Sequence, residues 1–212
     1  MTSLGAAIFR GSIGLGLFAI ITAGLIAFTQ VSTADRIAKA QKQARAKALM
    51  EIVPEDSHDN DLLDSAISLA PSPLLGTKEE SEAFIATNHG KPVAIILPVV
   101  APDGYTGEIN AIVGIRPDGT IQGVRITAHK ETPGLGDQIE ARKSRWIDNF
   151  ADKSLDDPGE ELWKVKKDGG YFDQLTGATI TPRAVVGSIK KALVYFEQNR
   201  TILLGTALST AQ

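Results

Sequence analysis

Between Gly11 and Ala34 the chain carries no charged side chain, and no other feature restricts its folding so strongly. As a helix, the segment Gly11–Thr29 spans about 28 Å, close to the thickness of a hydrocarbon core. The run is apolar on all sides, whereas a helix of a soluble body needs only one apolar face. A cleaved secretory leader is the competing reading, with "VSTA" at 31–34 as a weak small-residue cleavage site. Leaders normally have a shorter apolar core, so the length favours a retained transmembrane anchor. Arg10 precedes the run, and Arg36, Lys39, Lys42, Arg45 and Lys47 follow it. The positive-inside tendency taken alone would place the rest of the chain in the cytoplasm.

The 212 residues allow one anchor and one modest folded body. A net charge of -3 gives no electrostatic case for nucleic acid. The chain has no cysteine, which excludes disulfides, thiolate zinc sites, iron–sulfur clusters and c-type haem attachment. His58, His89 and His129 are scattered and form no metal spacing.

The segment from Asp35 to Val53 reads as a helix leaving the membrane. Ile37, Ala40, Ala44, Ala48 and Ile52 fall on one stripe, and the opposite face is basic. That face suits solvent above the headgroups, or contact with anionic lipid or a partner subunit. Pro54 ends the helix. "EDSHDND" at 55–61 reads as an acidic turn, 62–70 as a short helix or an edge segment, and "PSPLLGTKEE" at 71–80 as a loop. "VAIILPVV" at 93–100 is of strand type, with Pro98 favouring an edge or a bulge. Ile109, Ala111, Val113 and Ile115 alternate, "RPDGT" supplies a reversal, and Val124, Ile126 and Ala128 alternate again, predicting a hairpin. Residues 141–150 look helical, with Trp146 and Phe150 at i, i+4, and "LWKVKK" at 162–167 reads as a strand turned by "DGG". The strongest helix covers 182–199, with Val185, Val186, Ile189, Leu193 and Phe196 on its buried face.

"DQLTGATITP", residues 173–182, holds more than a turn requires. Thr181 is a good N-cap and Pro182 a good first helical residue. The electropositive end of the helix then points back at residues 176–180, where it favours a phosphate. Gly177 and Ala178 leave room for a bulky group, and Thr179 presents a hydroxyl beside it. The plainer alternative is that Thr176 and Thr179 only bond the turn.

The segment resembles the Asp-x-x-Ser/Thr-Gly-Ala-Thr motif of the covalent FMN-binding domain family. That domain occurs in the G subunit of the Rnf electron-transport complex and the C subunit of the sodium-translocating NADH:quinone reductase. The resemblance implies FMN held through a phosphodiester to Thr179, attached by a flavin transferase that uses FAD. Asp173, Thr176, Gly177 and Ala178 match the rest of the motif. "GYTGEINAIVGIRPDGTIQGVRITAHKETPGLGD" at 104–137 resembles the family's hairpin and its His-x-Glu-Thr-Pro-Gly-Leu-Gly loop. By that match Glu131, Thr132, Pro133, Gly134, Leu135 and Gly136 are flavin-contact candidates. Without it, Glu131 reads as a solvated loop carboxylate. Tyr105, Trp146 and Tyr171 are candidates to stack near the ring, although aromatic residues at such places are more often core. His129 could contact the flavin or cap a strand end.

"ITP" followed by "RAVV" at 180–186 is more similar to the Rnf G subunits than to the C subunits of the quinone reductase. The implied fold is α+β: one transmembrane helix, then a single domain with an antiparallel sheet flanked by helices. The expected organisation is 1–34 tail and anchor, 35–90 connecting helix and first part of the soluble domain, 91–200 flavin domain core, and 201–212 tail. The implied function is an electron relay within a complex that couples NADH and ferredoxin chemistry to ion translocation. Such a relay has no catalytic side chain and no metal of its own. Its partners are the other complex subunits, the flavin transferase and the membrane, with no nucleic acid. The resemblance places the domain on the periplasmic side of a bacterial inner membrane, against the charge count around the span. Two alternatives stay open: an anchored scaffold without flavin, and an anchored small-ligand-binding protein.

Overall fold

A computed structural model describes residues 2–210. The side chains of Arg10, Lys39 and Lys42, and the residues Ala211 and Gln212, lie outside the described residues. The chain divides into two compact units with the boundary between Ala44 and Arg45.

The first unit is helical. Helix α1 covers Thr2–Ile52, so the anchor and the expected connecting segment form one uninterrupted helix. Within it, Gly11–Ala34 is 24 residues long with mean hydropathy 2.1, enough to cross a membrane. Its three threonine hydroxyls are internally satisfied: those of Thr22, Thr29 and Thr33 donate to the carbonyls of Phe18, Leu25 and Thr29 at 2.8, 2.7 and 2.7 Å. A helix in hydrocarbon needs that arrangement, because no water is there to accept those protons.

The second unit is built on an antiparallel sheet of five strands in sequence order: β1 Ala66–Leu69, β2 Ser81–Asn88, β3 Lys91–Ala101, β4 Ile109–Ile115 and β5 Ile121–Ala128. Within segment 62–70, Ala66–Leu69 thus forms an edge strand, preceded by a turn. β2 was not expected; Ala83, Phe84, Ile85 and Ala86 are all buried, so it lacks the alternation of a half-buried strand. A two-residue turn, His89–Gly90, joins it to β3, both residues at positive φ (50° and 71°). β3 is the central strand, which corrects the edge or bulge inferred from Pro98. Pairing of β3 with β2 stops at Phe84–Ile96, before Pro98. Val100, two residues on, directs its N–H away from β4 to the Leu75 carbonyl at 2.8 Å. Amides two apart in a strand point the same way, so Pro98 lacks an N–H only where no strand needs one.

The β4–β5 hairpin is as expected, with Ile109, Ala111, Val113 and Ile115 buried and Gly119 at φ 92° in the reversal. Helix α2, Ile180–Thr210, lies against β3 and β4. Val185, Val186, Ile189, Leu193 and Phe196 are all buried, as predicted. Two expected elements are absent. Segment 141–150 is a 3-10 turn at Trp146–Phe150, not an α-helix. Segment 162–167 is not a strand; it lies between short 3-10 turns at Glu160–Leu162 and Lys166–Asp168, with one isolated bridge between Val165 and Phe172. Both segments feed side chains inward. Trp146 meets Phe150 edge-on at 5.4 Å, and Phe150 stacks on Phe172 at 4.6 Å. The Trp163 and Phe172 rings sit 4.8 Å apart. Each buried indole N–H reaches a carbonyl, Asp173 for Trp146 at 2.6 Å and Ser154 for Trp163 at 2.9 Å.

The other face of the sheet is covered by the last turns of α1. Leu49, Ile52 and Val53 pack with Leu62, Phe84, Ala86, Ala94 and Ile96. Ile52 seats over the cross-strand pair Gly114–Gly123. Only Ile52 of the expected stripe is buried; Ile37, Ala40 and Ala44 are exposed, and Ala48 is partly so.

Candidate functional site

Three separate loops meet at the start of α2. The segment 173–179 leads into the helix, 129–140 leaves β5, and 104–107 precedes β4. Leu175 to Ala178 forms a tight turn, closed by the Ala178 amide on the Leu175 carbonyl at 3.1 Å. Gly177 at φ 81° takes the left-handed value that the third position of a type II turn requires. Thr132 to Leu135 repeats the device, with Pro133 second, Gly134 at φ 78° third, and the Leu135 amide on the Thr132 carbonyl at 3.2 Å. The two turns touch: a Cβ on Gly177 would come within 2.8 Å of Leu135 Cδ2. Ala178 packs against the main core, and Thr176 is exposed.

Thr179 is the residue immediately before α2 and is half-buried. Among the described residues neither its hydroxyl nor that of Thr176 makes a hydrogen bond. The turn is closed by backbone, so the plainer role for these threonines, bonding the turn, is not met. The unpaired amides and positive dipole of a 31-residue helix start beside that free hydroxyl.

Thr181 is not the cap the sequence suggested. The helix begins at Ile180, so Thr181 and Pro182 lie inside its first turn, where proline is tolerated. The Thr181 hydroxyl donates instead to Glu131 Oε2. Glu131 is 4% exposed, which corrects its reading as a solvated carboxylate. Its other oxygen accepts from the Thr106 amide at 3.0 Å and the Thr106 hydroxyl at 3.1 Å. A buried carboxylate is tolerable when its lone pairs are filled in this way. Glu131 therefore ties all three loops together. Gly136 passes so close that a Cβ there would meet Glu131 Oε2 at 2.8 Å and Thr181 Oγ1 at 2.9 Å.

Around this node lie more polar contacts. The Glu131 amide donates to His129 Nδ1 at 3.0 Å, and His129 Nε2 lies 2.9 Å from Glu140 Oε1. Glu140 also accepts from Arg142, which holds its carboxyl below the usual range, with His129 adding to the effect against partial burial. Asp137 accepts the Gly134 amide at 2.7 Å and pairs with Lys143 at 3.4 Å. Asp173 points outward to Lys166 at 2.6 Å, while its carbonyl takes the Trp146 indole. Arg183 grips Asp168 with two bonds of 2.5 and 2.6 Å and holds that carboxyl below its usual value.

The structure thus brings Thr176, Gly177, Ala178 and Thr179 together with Glu131, Leu135 and Gly136. Thr132 contributes its carbonyl to the second turn, and the Asp173 side chain turns away. Of the aromatic candidates, Trp146 belongs to the core, Tyr105 is 66% exposed, and Tyr171 stands edge-on to Phe172 beneath Lys153. His129 follows β5 and is bonded on both ring nitrogens, so it ends the strand as one of the two expectations held. Thr106 was missed, because nothing in the sequence links it to a carboxylate 25 residues away.

Residues 104–194 match the FMN-binding domain family, and residues 1–52 match the RnfG N-terminal region. A protein of Pseudomonas aeruginosa strain UCBPP-PA14 is 51% identical over 195 residues, covering 92% of this chain and 91% of that one. One of Vibrio atlanticus is 46% identical over 203 residues, covering 96% and 97%, and one of Shewanella baltica is 46% identical over 195 residues, covering 92% of each. All three are named as the G subunit of an ion-translocating oxidoreductase complex. The chain belongs to this G-subunit family. Its FMN-binding domain begins at Gly104, so the match takes in all three loops of the site, together with the hairpin and α2 as far as residue 194. The N-terminal match ends with α1 at Ile52.

Proposed function

We propose that this chain is a membrane-anchored flavoprotein that carries FMN on Thr179 and relays electrons within an Rnf-type ion-translocating complex. The observation that carries the reading is the Thr179 hydroxyl, unbonded and half-buried at the head of α2. The residues present fit such a group. The helix start offers amides and a positive dipole to a phosphate. Gly177 and Ala178 keep the approach to Thr179 free of large side chains, and Leu135 supplies an apolar wall that is 42% exposed. FMN when bound supplies uptake of two electrons and their release one at a time. The chain's own part is to hold it. Thr179 Oγ1 is the ester oxygen, and Glu131, Thr106 and Thr181 keep the flanking loops in place. Asp173 and Thr132 shape the motif and the opposite turn through their backbones.

A flavin transferase is the attaching partner: the threonine oxygen bonds to the flavin-side phosphorus of FAD, the pyrophosphate link breaks, and AMP leaves. We place the anchor in the bacterial inner membrane with the domain on the periplasmic side, on the strength of the family resemblance over the flanking charges. The working partition remains an anchor at 1–34, a connecting part at 35–90, a flavin core at 91–200 and a tail at 201–212.

The test is co-expression with a flavin transferase, denaturation, and ultraviolet fluorescence of the gel band. A fluorescent wild-type band and a dark, folded Thr179→Val band are expected. A dark wild-type band beside a labelled control protein would favour the flavin-free scaffold. Retained label in Thr179→Val would move the attachment elsewhere.

A further inference from the structure

His129 is one step removed from the attachment site and linked to it by consecutive contacts. Its Nδ1 receives the Glu131 amide at 3.0 Å. Glu131 reaches Thr106 through one oxygen and Thr181 through the other. Thr181 stands two residues from Thr179. An imidazole nitrogen that accepts an N–H carries no proton, so the ring is neutral and its proton sits on Nε2. From there it donates to Glu140 Oε1 at 2.9 Å. The side chain is only 10% exposed, so water does not readily substitute for either partner.

Protonating Nδ1 would set two donors face to face. The bond to Glu140 would survive and strengthen, whereas the bond to the Glu131 amide would break. Two groups bond the ring: the Glu140 carboxylate, itself held by Arg142, and the Glu131 amide. The adjoining 3-10 turn brings Asp137, paired with Lys143. The first turn of α2 and the 104–107 loop add only the hydroxyls of Thr181 and Thr106 to this node, both bonded to the Glu131 carboxylate.

We propose that His129 is a positioning residue whose neutral ring clasps the Glu131–Gly136 loop against the Thr179 turn, and that its protonation loosens the loop and changes the environment of the group on Thr179. The part concerning that group rests on the function proposed above; the clasp does not.

The test uses the full chain in detergent, labelled with nitrogen-15 and first without flavin. Long-range proton–nitrogen correlation is expected to show the Nε2-protonated tautomer at neutral pH. The Glu131 amide resonance is expected to shift on acidification with the same midpoint as the His129 ring. His129→Asn keeps an acceptor in place of Nδ1 but cannot titrate, so its Glu131 amide should hold still across the range. His129→Gln replaces the Nε2 donor and loses the acceptor, so the amide should sit at its shifted position at every pH. In the flavinylated chain, visible circular dichroism of the oxidised flavin should follow the same midpoint, and the His129→Asn profile should be flat.

An Nδ1-protonated ring at neutral pH, or a Glu131 amide indifferent to the titration, would overturn the clasp. An unchanged flavin response in His129→Asn would overturn the effect on the group at Thr179. A chain that responds at the amide but takes no flavin would defeat the proposed function and leave the clasp upheld.

Discussion

The two faces of the sheet solve different problems. Under α2 the core is large and aromatic, with Phe150, Phe172, Trp146 and Trp163 packed beside the aliphatic stripe of the helix. Under the last turns of α1 it is smaller and chiefly aliphatic, with Ile52 set over a pair of glycines. The Glu131 node, the two touching turns and Thr179 all gather at the start of α2, the helix that covers the first face. A polar node can be held in one geometry only where bulky neighbours restrict the loops that supply it. The end of α1 is joined to the sheet by shape and apolar area, with ion pairs of Arg45 to Glu82 and Glu51 to Arg125 at its margin.

The strongest way to break this contrast is Phe150→Ala. It removes the ring shared by three aromatic contacts, and about 3–5 kcal/mol of stability should go with it. Urea unfolding of the chain in detergent measures it. A loss no larger than that of a surface substitution would mean that the aromatic face is not the rigid one.

Gly114→Ala probes the opposite face. The new Cβ would overlap Ile52 Cγ2, a branched atom with little freedom to retreat. About 1–3 kcal/mol of destabilisation is expected. In an Ile52→Ala background the same change should cost much less, because the two positions share one space. Equal costs in both backgrounds would refute the fit of Ile52 into the glycine pair.

The smallest effect belongs to Asp168→Asn beside the site. Arg183 holds the Asp168 carboxyl below its usual value of 3.8 by direct hydrogen bonding. A depressed carboxylate stabilises the folded state above its unfolded pKa, and that contribution fades as pH falls through the lower folded value. Wild type should therefore melt slightly above Asp168→Asn at neutral pH, with the difference closing in strong acid. A gap that widens on acidification would reverse the assigned sign.

Much of the molecule was legible in its residues. Period-2 alternation identified β4 and β5, because Ile109, Ala111, Val113, Ile115 and Val124 all face the core, although Ile126 is only partly buried and Ala128 is exposed. Helical spacing identified α2 through Val185, Val186, Ile189, Leu193 and Phe196, and the uncharged run identified the apolar part of α1. Such patterns survive in sequence because each comes from one element presenting one face to the core. β2 escaped because its residues are buried in succession, and residues 162–167 looked like a strand because Trp163 and Val165 alternate inward without a partner strand.

At the site, the motif singled out Thr179 and its Gly-Ala approach, and spacing along the chain placed them at a helix start. Spacing could not say that the Thr181 hydroxyl serves Glu131, that Thr106 completes that carboxylate, or that Leu135 meets Gly177. Local geometry determines turns and helix starts, since those depend on residues a few positions apart. The burial of Glu131 and the use of each hydroxyl depend on loops 25 and 50 residues apart in sequence, and only packing of the sheet against α2 decides which donors stand near which acceptor.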